Sequence, residues 1–129
     1  MRTIKFRAWD ADFCKMIYEP TKDGYSVDIQ SGILEVGLTD GDGDYVALPL
    51  MQFTGLLDKN GKEIYENDIV RLIETIGENI PQEYIGIIEF ESGCFWFHAR
   101  GRSENCWFHH NKEDIEVIGN RFENPELLS

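Results

Sequence analysis

Positive charge is in short supply in this chain: twelve Lys and Arg stand against 24 Asp and Glu, a formal net charge of -12. Phosphate backbones and anionic membrane surfaces repel such a chain at long range, so non-specific nucleic-acid binding is not expected outside a local basic patch. Cysteine is scarce too. Cys14, Cys94 and Cys106 are odd in number and irregular in spacing, which does not describe a disulfide framework. No run reaches the ~18 apolar residues of a membrane span, and Met1–Asp10 alternates charged and apolar residues where a secretory signal would be basic and then greasy. These absences together place the expected home of the protein in a reducing cytoplasm, away from membranes. Catalytic signatures are missing as well. There is no G-x-S-x-G elbow, no H-E-x-x-H, no Walker loop and no G-x-G-x-x-G, so no enzyme and no cofactor is expected.

What is present is a globular composition, with 42% hydrophobic and 12% aromatic residues in 129. Disorder needs fewer apolar residues than this. A chain of this length buries roughly two-thirds of its unfolded surface, enough for one core without staples. The apolar pattern has period two. In residues 2–10, Ile4, Phe6 and Ala8 fall on one face and Lys5, Arg7 and Trp9 on the other, the pattern of a half-buried strand. Strand composition recurs at 14–18, 25–30, 33–38, 45–48 and 50–54, then at 68–75, 83–91, 94–99, 105–110 and 115–119. Turn formers separate these runs, notably Ser92-Gly93 and Lys59-Asn60-Gly61-Lys62. Pro49 cannot donate a ladder hydrogen bond and marks a strand start or sheet edge. Helix is confined to short pieces near 112–114 and 124–128. The expected fold is mostly β, a small N-terminal antiparallel sheet (1–50) packed on a small C-terminal antiparallel barrel (51–129), in one unit with two subdomains.

Three groupings of polar residues invite a chemical reading. Asp40, Asp42 and Asp44 alternate like the opening of a calcium loop, but Tyr45 and Met51 stand where the loop needs Gly and Glu, so an exposed acidic turn is expected. Cys94, His98, Cys106, His109 and His110 have a superficial zinc-ligand spacing. On a strand, however, Cys94 and His98 lie roughly 13 Å apart, and one ion cannot hold both at about 2.3 Å. A two-ligand contact of His98 with Cys106 across a hairpin would be a weak site, and no metal is expected. Glu89 and Glu91 share a strand face, where a solvated pair is the ordinary arrangement and acid–base work the exceptional one.

The most informative stretch is 93–112, GCFWFHARGRSENCWFHHNK. Five aromatics (Phe95, Trp96, Phe97, Trp107, Phe108) fall within it, and 92–112 carries three basic residues against one acidic, together with all three histidines. It reads either as a core hairpin with a basic tip or as a cationic aromatic surface able to stack bases or bind anions. Trp96, His98, Arg100, Arg102, Trp107 and His109 are the ligand-binding candidates on the second reading.

Several segments resemble the YopX family of phage and prophage proteins: KFRAWD (5–10), QFTGL (52–56), DKNGKEIYENDIV (58–70), GIIEFESGCFWF (86–97) and IEVIGNRFENPELL (115–128). Residues 20–48 and 98–112 are idiosyncratic. Asn67 stands where relatives usually carry Gly, and Asn tolerates the left-handed conformation such a turn needs. The resemblance implies a mostly β fold, a mobile-element origin in a bacterium, and no established activity or catalytic residues. Among the matched positions Trp9, Phe53, Leu56, Ile64, Tyr65, Ile69, Val70, Val117 and Ile118 read as core. Gly55, Gly61 and Gly119 read as turn positions, and Asp68 as a carboxylate that caps a turn. The expected function is that of an accessory protein that binds or regulates a host or phage protein. The alternative is nucleic-acid or nucleotide binding through hairpin 93–112. Unpaired strand edges would also permit homo-oligomers.

Overall fold

The computed structural model describes residues 3–20, 26–30, 33–39, 45–76, 80–100, 105–106 and 114–129. The chain divides into two compact units, Met1–Phe53 and Thr54–Ser129. Both are built of antiparallel strands.

In the first unit β1 (Phe6–Asp10) pairs on one side with β2 (Lys15–Tyr18) and on the other with the start of β6 (Leu50–Leu57). Asp10 closes the β1–β2 turn by accepting from the N–H groups of Asp12 and Phe13 at 3.0 and 3.3 Å, the local bonding that suits Asp to turns. Three further strands, β3 (Ser26–Gln30), β4 (Ile33–Thr39) and β5 (Tyr45–Leu48), form a second antiparallel ladder. Pro49 interrupts the chain between β5 and β6, and its carbonyl accepts from Trp9 N at 3.2 Å. β1 differs from its expected half-buried pattern. Arg7, Ala8, Trp9 and Asp10 are all buried, so both faces are covered, while Ile4 lies ahead of the strand and is exposed. The long apolar stem of Arg7 lets a charged side chain sit where alternation alone places it in water, and Asp10, on the face of Phe6 and Ala8, is accommodated by closing the turn.

In the second unit, β7 (Glu63–Tyr65), three residues between two turns, runs beside the end of β6, and Thr54 Oγ1 donates to Ile64 O at 2.7 Å. β8 (Asp68–Ile76), β9 (Ile80–Glu91), β10 (Cys94–Ala99), β11 (Asn105–Cys106) and β12 (Ile115–Asn120) make a five-stranded antiparallel sheet in the order β11-β10-β9-β8-β12, curled into a half-barrel. β9 and β10 meet through the two-residue turn Ser92-Gly93, with φ of 50° and 83°. Paired positive φ values match the strand twist, which makes such turns tight and register-setting. The concave face holds the core: Ile64, Val70, Leu72, Ile88, Phe95, Phe97 and Ile115, flanked by Leu56, Tyr84, Ala99 and Val117. Each fully buried Ile, Leu or Phe contributes about 1.5–3 kcal/mol. The chain ends in a short 3-10 helix, Pro125–Leu128, lying against β9. None of the described helices is long and apolar enough to cross a membrane.

Two glycines have roles worth separating. Gly86 sits between Val70 and Ala99 in register, and a Cβ there would overlap the His98 carbonyl oxygen and meet Ala99 Cβ at 2.8 Å. Gly119, expected to supply backbone freedom, supplies room instead. A Cβ there would lie 2.5 Å from Asn124 Oδ1, beside the bulge in β12 between Val117 and Gly119.

Candidate functional site

Polar residues in the segments that carry the family resemblance hold the backbone. Asp58 is buried, and its carboxylate accepts from Asn60 N (2.8 Å), Lys62 N (2.9 Å) and Val117 N (3.0 Å). One side chain thus closes the 58–62 turn and ties it to β12. Lys59 N adds a bond to Ile115 O at 3.0 Å, so outward-facing groups of this edge strand are covered instead of being left to pair with another chain. Asp68, also buried, accepts from Tyr65 N at 2.8 Å, the capping role its position implies. The turn it closes contains Asn67 at φ 67°. Asn120 accepts from Phe122 N and Glu123 N at 3.0 and 2.9 Å, and Asn124 accepts in turn from Asn120 N at 3.2 Å. Glu116 lies between Lys59 Nζ (2.8 Å) and Arg71 Nη2 (3.0 Å). Hydrogen bonds first from Lys59 and then from Arg71 hold its carboxyl below the ordinary value of 4.5.

The side chains outside this scaffolding gather on the convex face of β9 and β10. The register Trp96↔Glu89, Cys94↔Glu91 and His98↔Ile87 puts Glu89, Glu91, Trp96 and His98 on one face, opposite Phe95 and Phe97. Trp96 Nε1 donates to Glu91 O at 2.8 Å. Arg121 Nη2 is 3.4 Å from Glu89 Oε2, and His98 Nε2 is 3.9 Å from Glu91 Oε1.

On the same face, the C-terminal 3-10 segment and β9 frame an open cleft of about 340 Å³, lined by Glu83, Tyr84, Ile85, His98, Arg100, Leu127, Leu128 and Ser129. It offers apolar wall from Ile85 and Leu128, both more than a third exposed, with Arg100 and Glu83 as charges of opposite sign. His98 and Ser129 add further polar groups, so the lining is mixed, with polar groups able to orient a partner beside a smaller apolar contact.

Of the six ligand-binding candidates, His98 and Arg100 line this cleft. Trp96 is on the strand face of His98 with its indole N–H bonded to Glu91 O. Arg102, Trp107 and His109 lie outside the described residues, as do Asp40, Asp42, Asp44 and His110. Cys106 stands opposite Trp96 in register. The grouping of Glu89 and Glu91 with His98 follows from the Ser92-Gly93 turn. A two-residue loop pairs residue 91 with 94, hence 89 with 96, a step available from sequence alone once the turn is recognised.

A comparison with curated proteins finds no match. Among solved structures the chain is similar to protein EF1440 from Enterococcus faecalis, at 26% identity and TM-score 0.59 with all of both chains covered. It is similar also to protein yopX from Bacillus subtilis, at 26% identity and TM-score 0.58, covering all of this chain and 98% of that one. The family model described as YopX protein matches residues 5–129, from the FRAWD strand to the C-terminal 3-10 segment. The chain therefore belongs to the YopX family.

Proposed function

We propose that this protein is a non-catalytic accessory protein of phage or prophage origin that works in the bacterial cytoplasm by binding a host or phage protein, and that the cleft beside His98 and Arg100 is where it does so. The cleft carries the reading: an apolar wall of Ile85 and Leu128, flanked by Glu83 and Arg100, is open at the surface of a firmly hydrogen-bonded sheet. Asp58 and Asp68 of the motif segments support it as well, because their carboxylates serve as backbone acceptors.

Nucleic-acid binding through hairpin 93–112 is less well supported by its described half. Trp96 is only partly exposed, and Glu89 and Glu91 flank it on β9, charges that repel a phosphate backbone. Affinity capture of the tagged protein from host lysate, with and without nuclease, separates the two readings. A single enriched protein that survives nuclease is expected. Recovery that disappears with nuclease would overturn the protein-partner reading.

A further inference from the structure

The convex face of β9 and β10 brings together one imidazole and two carboxylates from residues 89, 91 and 98. One ligand atom from each of Glu89, Glu91 and His98 lies within 4.8 Å of the other two. His98 Nε2 and Glu91 Oε1, at 3.9 Å, are too far apart for a hydrogen bond. Two ligands of one zinc ion, each bonded at about 2.0–2.2 Å, stand roughly 3–4 Å apart. The pair is therefore already spaced for a shared ion, and the third ligand needs a movement smaller than a side-chain rotamer change.

We propose that Glu89, Glu91 and His98 form a site for one divalent first-row transition ion, of which Zn²⁺ is the test case. Two carboxylates balance the ion's charge, and the imidazole favours a transition metal over Mg²⁺ or Ca²⁺, which prefer oxygen alone. The frame is rigid where it matters. All three residues stand on paired strands, and Glu91's backbone carbonyl is held by the Trp96 indole at 2.8 Å. The side chain of Glu91 is 56% exposed while those of Glu89 and His98 are 30% and 18% exposed, so the ion enters from the Glu91 side and water completes its coordination. Arg121 contacts Oε2 of Glu89. A carboxylate has a second oxygen, and an outer partner of this kind orients a ligand. The site is independent of the cleft reading, although His98 borders both.

The test is titration of the metal-free full chain with Zn²⁺ by calorimetry, and with Co²⁺ by visible absorption. The expected result is one ion per chain, a rise in unfolding temperature with Zn²⁺, and at least about tenfold weaker binding in Glu89→Gln, Glu91→Gln and His98→Gln. A His109→Gln/His110→Gln double variant should bind like the parent, which excludes those histidines as the ligands. Arg100→Glu should also bind like the parent, so loss of a cleft partner and loss of the metal are separable. Absence of binding with Zn²⁺ in large excess, or binding that the three substitutions at 89, 91 and 98 leave unchanged, would overturn the proposal.

Discussion

Asp58 shows how much of this protein rests on single buried carboxylates. Three backbone N–H groups converge on it, one of them from Val117, 59 residues away. Asp58→Ala removes three charge-assisted bonds and strands the donors, and should cost about 3 kcal/mol or more in urea unfolding. A cost below about 1 kcal/mol, the size of an ordinary surface change, would contradict the assignment. Asp68 was legible in the sequence because its capping partner, Tyr65, is three residues off. Asp58 was not legible beyond its place before the Lys59-Asn60-Gly61-Lys62 turn, since its partner on β12 is invisible to local pattern. Glu116 is a milder case at the same scale. Because its carboxyl titrates lower in the folded state than in the unfolded chain, its stabilising contribution is complete above pH 4.5 and disappears as pH falls through the lowered folded value. Glu116→Gln should therefore be less stable than the parent at neutral pH and converge with it in acid, which gives a shallower acid limb in a stability-against-pH curve. Added salt should shrink the difference, because the Lys59 and Arg71 side chains are partly exposed. An acid limb identical in the two proteins would refute the assignment.

At the scale of elements, period-two alternation revealed most of the strands, and the turn residues between them named the hairpins. β7 escaped because three residues between two turns are too few to show a period. β1 is legible as a strand but its burial is not, because alternation cannot report that a strand is covered on both sides or that Arg7 and Asp10 are buried in it. Sequence alone suggests freedom of φ at Gly119, where the need is space, a distinction only the contact with Asn124 makes. The two glycines without room for a Cβ should respond differently. At Gly86 the obstacle is the backbone of β10, which cannot yield, so Gly86→Ala should destabilise by about 2 kcal/mol or more through overpacking. At Gly119 the obstacle is the Asn124 side chain, which can rotate away, so Gly119→Ala should cost less, about the value of the hydrogen bond to Asn120 N that is lost. Chemical denaturation of both variants checks the order, and a Gly86→Ala protein as stable as the parent would contradict the close strand approach.

For the molecule as a whole, the mostly β architecture and the family were both readable in advance, because the motif segments are the ones that close turns and fill the core. The candidate site was less readable. His98 and Arg100 come from the idiosyncratic stretch 98–112, and their cleft needs the C-terminal 3-10 segment, 25 or more residues further on, to supply Leu127 and Leu128. The proposed binding cleft thus joins His98 and Arg100 of that stretch to Leu127 and Leu128 of a motif segment. The most direct test compares affinity capture by the parent protein with capture by an Arg100→Glu/Leu128→Asp variant, in nuclease-treated lysate, after matched unfolding curves show both to be folded. The account predicts that one protein partner is retained by the parent and lost by the variant. Equal recovery of that partner by the two proteins would contradict the assignment of binding to this cleft.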